Sequence, residues 1–147
     1  MPGIIISMNT GPLEELVLIT DQKILAVWAL DCAERVLPIF EEKYPNDPRP
    51  REALEAGRAW VQGEIRVGEA RKAAFSSHAA ARTAAGDPPV SFAARAAGHA
   101  AATSHTSGHA IHAADYAVKA VSPDQKTGER TWQHHHLLKL TSDIQSL

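Results

Sequence analysis

The sequence has a single cysteine, Cys32, in 147 residues. An intrachain disulfide framework is therefore excluded, and a reducing, cytoplasmic home is the simplest expectation. Aromatic residues make up only 5%, too few for a sheet with bulky interleaved faces. No apolar run approaches the roughly 18 residues of a membrane span. The opening Met1 to Ile6 has an apolar triplet but no basic stretch before it, so neither secretion nor membrane association is expected. The nine glycines stand singly, which removes the glycine-rich phosphate loop, and there is no Gly-x-Ser-x-Gly motif. A Lys/Arg run is also missing, and the pI is near 6.4, so nucleic-acid binding lacks electrostatic support.

Alanine occupies 26 positions. As the best helix former and a small burier of area, it favours thin, closely packed helices. Hydrophobic residues at 44% and charged residues at 22% fit one globular domain of this length. The formal net charge of -2 is uneven. Residues 1 to 69 carry 7 basic and 12 acidic side chains, whereas residues 70 to 147 carry 8 and 5. All eight histidines lie at or after His78.

These features predict an all-α fold, a compact single-domain bundle of about five to six antiparallel, alanine-rich helices over 21–147, preceded by a lead-in over 1–20. In that lead-in, Leu13 to Ile19 reads as a short strand or irregular segment. Leu25, Trp28, Cys32, Val36 and Ile39 recur at helical spacing from Gln22 to about Tyr44, with a bend or end expected before Pro38. Asp47 is the expected N-cap of a second helix that begins at Pro48 and reaches about Arg66. Further helices are expected over 69–85, from about Ser91 to Thr103, over His109 to Val121, and around Trp132 to Leu140. Trp28 and Trp60 should be buried on facing helices. Ala80, Ala81, Ala97, Ala100 and Ala101 should make close helix contacts.

Catalysis finds little foothold. Cys32 lies between Trp28 and Val36 on an apolar face and reads as a small buried hydrophobe. Asp31 interrupts an apolar run and should pair with Arg35 or Arg58, while Arg51 and Glu55 are spaced as a second helical pair. The histidines leave two readings open. His105, His109 and His112, with His99 nearby, have spacing compatible with a divalent metal. Otherwise, His105 and His109 act as locks at a helix boundary, bonding to backbone carbonyls and to Thr103, Ser104 or Thr106. The triplet His134-His135-His136 points three ways on a helix and cannot chelate one ion. His78-Ala79-Ala80-Ala81 and His99-Ala100-Ala101-Ala102 repeat a pattern, read as two helices meeting one packing problem with histidine as a polar spacer.

Trp28-Ala29-Leu30-Asp31-Cys32-Ala33-Glu34-Arg35-Val36-Leu37, Pro48-Arg49-Pro50-Arg51-Glu52-Ala53-Leu54-Glu55-Ala56 and Trp60-Val61-Gln62-Gly63-Glu64-Ile65 resemble a small bacterial family of putative immunity proteins. Further matching blocks are Ala93 to Ala100, the His105 and His109 pair, Tyr116 to Ala120, and Glu129-Arg130-Thr131-Trp132-Gln133 with His136-Leu137. The resemblance covers roughly 21 to 140 and leaves out Asp115 and the tail from Lys139. It implies a helical protein that binds and neutralises a cognate protein toxin and has no catalysis or cofactor of its own. The candidate binding residues are Asp31, Arg35, Arg49, Arg51, Glu55, His99, His105 and His109. The alternatives are a metal-binding protein or metal-dependent enzyme using His99, His105, His109 and His112, and a general helical interaction module.

Overall fold

In the computed structural model, which describes residues 12–145 and their side chains to residue 142, the fold is all helical, with no strand among the described residues. Among the described residues seven α-helices follow one another: α1 over 12–19, α2 Gln22–Lys43, α3 Arg49–Val61, α4 Val67–Thr83, α5 Pro88–Ala102, α6 His109–Ala120 and α7 Lys126–Gln145. A 3-10 turn, Pro123–Gln125, introduces α7. The count exceeds the expected five to six because the lead-in is helical from residue 12; its first eleven residues lie outside the described region. The spacing of Leu13, Leu16 and Val17 is helical: Leu13 is buried and the other two pack on the core, while Leu18 and Ile19 face water.

α2 packs against α3, α5, α6 and α7. The Asp21 side chain caps it by accepting from the Lys23 N–H at 3.1 Å. The helix does not end at Pro38 but runs on to Lys43. Pro38 is on the solvent face, where water can take the carbonyl that the ring leaves without a donor. α3 starts at Arg49, with the Asp47 carboxylate accepting from its N–H at 3.1 Å. It ends at Val61 rather than near Arg66. Gly63 adopts φ +77 there, and the N–H groups of Gly63 and Glu64 donate back to Trp60 and Ala59. This closing turn needs a residue free to enter the left-handed region.

Between α4 and α5 the contact is made by small residues. Ala74, Ser77, Ala80 and Ala81 are buried on α4, and Ala93, Ala94, Ala97, Ala100 and Ala101 on α5. The Ser77 hydroxyl donates to the Ala94 carbonyl at 2.8 Å and the Ser91 hydroxyl to Ala81 at 2.8 Å, satisfying polar groups inside this seam. Gly57 performs the same service between α3 and α2, since a Cβ there would stand 2.6 Å from Leu30 Cδ2. α7 is attached differently. The Trp28 indole N–H donates to the Gln133 carbonyl at 2.8 Å, and the Gln133 amide donates to the Ala114 carbonyl at 2.9 Å. Trp60 is only half-buried, with Lys23 over its ring at 5.6 Å, so the expected buried pair reduces to Trp28 alone. In the α2–α3 seam Leu30 packs against Gly57.

Candidate functional site

Three polar regions stand out, and they differ in whether their charges are satisfied. The first runs across α7, α2 and α3. Arg35 donates from Nε and Nη2 to Glu129 at 2.8 and 3.1 Å, and its guanidinium lies 4.0 Å above the Trp132 ring. Trp132 stacks on His136 at 4.6 Å, and His136 Nε2 meets Asp31 at 2.8 Å. Asp31 also accepts from Arg58 at 3.1 Å. Arg58 approaches Glu34, which shares Arg51 with Glu41. Of the two partners expected for Asp31, Arg58 is the one it takes and Arg35 is not, and the expected Arg51–Glu55 pair is not made. Both arginines are taken by carboxylates on neighbouring helices that offer two-pronged contacts, which one acid a turn away on the same helix does not match. Arg49 pairs with Asp47 and holds its carboxyl below the usual range, mainly through the hydrogen bonds between them. Asp31, Arg35, Arg49 and Arg51 thus spend their charge inside the molecule, fastening helices and turns. Cys32 lies beneath this ladder, fully buried, with its thiol pushed up by burial and by Asp31 and Glu129.

The second region is a groove of about 600 Å³ between α3 and α4. Ala56, Ala59, Ile65 and Ala73 line its apolar part, with Glu52, Glu55, Glu69 and Lys72 around it. None of its three carboxylates is in an ion pair with a described residue. Among the candidate binding residues, Glu55 is the acid left free on this surface.

Histidines form the third region. His99 of α5 is its centre: its ring lies 4.8 Å from His78 of α4, 5.1 Å from His109 and 5.4 Å from His112 of α6, and stacks on Tyr116 at 5.4 Å. Nδ1 of His99 and Nδ1 of His109 are 2.9 Å apart, so one donates to the other. His109 is thus locked by a second histidine and not by the hydroxyls expected; Thr103 and Ser104 donate to the carbonyls of His99 and Ala101 instead. His105 is exposed in the turn before α6 and locks nothing. Burial, followed by neighbouring cations, lowers His78 to about 4, and burial, followed by the other histidines, lowers His99 to about 3. The four histidines of the metal alternative do not assemble as ligands. Among the described residues no group of three or more His, Cys, Asp or Glu side chains is arranged to hold a metal ion.

His78 was missing from the candidate residues, although the repeated His-Ala-Ala-Ala pattern marked it. The two repeats face each other because each histidine needs small neighbours, and Gly98 supplies the closest: a Cβ there would lie 2.7 Å from His78 Cε1. Glu129, Trp132 and His136, which complete the ladder, were legible only as blocks of the resemblance.

The chain belongs to the Imm-5 like putative immunity protein family, whose pattern matches residues 15–140. Searches of curated proteins and of solved structures return no match. No helix among the described residues is long and apolar enough to cross a membrane.

Proposed function

We propose that this protein is an immunity protein that binds a cognate protein toxin and neutralises it by occlusion, without chemistry of its own. The observation that carries the reading is the family match across α1 to α7. The α3–α4 groove supports it as the contact face. Its uncompensated Glu52, Glu55 and Glu69 around an apolar floor suit a basic partner surface, such as that of a nuclease, with the carboxylates steering encounter and the floor excluding water. The acidic balance of residues 1 to 69 adds to that field.

The test has two stages. A partner is captured on the purified protein from its native cells, and the captured protein is then expressed alone and with this chain. Growth arrest by the partner, relieved by this chain and not by a folded Glu52→Lys/Glu55→Lys variant, is expected. A partner whose expression is harmless, or relief that the variant retains in full, sinks the toxin reading or the groove respectively.

A further inference from the structure

Five of the nine arginines, Arg35, Arg49, Arg51, Arg58 and Arg130, are held by carboxylates. Arg66, Arg71, Arg82 and Arg95 pair with no described acid. The last three lie on α4 and α5 beside the histidine cluster, close enough that Arg95 and Arg82 both act on His78. Between Glu69 and Asp115 the one acidic residue is Asp87, which faces Lys43 at 3.7 Å. A cationic region this poor in counter-charge favours an anion.

The same region holds a pocket of about 260 Å³. Ala74 and Ala102 form its apolar part, and Phe75, 60% exposed, stands at its edge with the Arg71 guanidinium 5.6 Å from the ring centre. His78, His105 and His109 complete the lining. His109 is the first residue of α6, so the positive end of a 12-residue helix lies beside the pocket, with the His109 and Ala110 N–H groups donating to the Thr106 and Ser107 carbonyls. His78 Nδ1, packed against Gly98, is the one buried side-chain polar atom without a partner among the described residues.

We propose that this pocket binds a small organic anion, an oxyanion carried on a flat apolar body, with Arg71 and His105 meeting the oxyanion and Phe75 the body. A cation is repelled by Arg71, and a neutral apolar molecule leaves Arg71, Arg82 and Arg95 uncompensated. Carboxylate and phosphate share the chemistry that a guanidinium and an imidazole recognise. Bound anion also supplies the counter-charge that Arg71 and Arg82 from α4 and Arg95 from α5 lack.

Titration calorimetry on the whole protein tests this with benzoate and phenyl phosphate, using benzyl alcohol as the neutral analogue and inorganic phosphate as the head group without a body. One of the aromatic anions is expected to bind saturably, at least about tenfold tighter than benzyl alcohol or inorganic phosphate. Which of the two binds better identifies the oxyanion. Arg71→Ala, at an exposed position, should weaken binding by about tenfold, and Arg66→Ala, away from the pocket, should leave it unchanged. Equal binding of benzyl alcohol, no saturable binding of either anion, or unchanged affinity in Arg71→Ala overturns the proposal.

Discussion

Trp28 joins the largest apolar area in the core to one polar demand, its indole N–H, which the Gln133 carbonyl meets at 2.8 Å. Trp28→Ala should cost about 3 to 5 kcal/mol in urea unfolding, the range for deleting a core aromatic. Trp60→Ala should cost well under half of that, because its ring is only half-buried. Equal losses would show that the two rings are equally enclosed. Gly98 sets a sharper limit: with His78 Cε1 2.7 Å from the position of an added methyl, Gly98→Ala must displace the imidazole. A loss of about 1 to 3 kcal/mol is expected, together with altered His78 and His99 ring resonances in NMR spectra. An unchanged histidine spectrum would contradict the close approach.

Among the elements, α7 is held by directional bonds where α4 and α5 are held by contact between small side chains. Glu129→Gln keeps the shape but removes the charge that fixes Arg35; because Arg35 is 40% exposed, the expected loss is about 1 kcal/mol in chemical melts. Ala97→Leu, at a wholly buried position, should cost about 1 to 3 kcal/mol by overpacking, and no loss would mean the helices are not in close contact. The helices rich in alanine were readable because composition and the Gly86-Asp87-Pro88-Pro89 break act locally. α1 was misread because its apolar residues are nearly continuous from Leu16 to Ile19, so period two and period three cannot be told apart without knowing which are buried. The end of α3 was missed because Gly63 closes it only through its left-handed φ. The pairing of Asp31 and Arg35 was unreadable for a different reason: Glu129, 94 residues from Arg35, competes for it through space. Likewise, the histidine cluster needs three helices to meet, and only its repeated His-Ala-Ala-Ala segments hinted at that.

For the whole molecule, the histidine cluster predicts acid sensitivity. His78 and His99 are held at about 4 and about 3 in the fold, against an ordinary 6.5. The unfolded chain therefore takes up protons first, so the stability these groups contribute is complete above about 6.5 and is lost as pH falls toward 4 and 3. Melting temperature should fall across that window, and the fall should be shallower in His99→Gln. A flat profile between pH 7 and 4 would show that the imidazoles are free to protonate in the fold.

Cys32, enclosed under α7 and near enough to Glu129 and Arg130 to feel both, makes the chain its own reporter of partial opening. A thiol reagent can reach the sulfur only when something lifts away. If α7 can peel off while the alanine seam stays shut, labelling under native conditions will be faster than global unfolding allows, and Glu129→Gln will accelerate it while Ala97→Leu acts on it only through overall stability. Labelling that tracks global unfolding in both variants would instead mean that the terminal helix and the seam open as one cooperative unit.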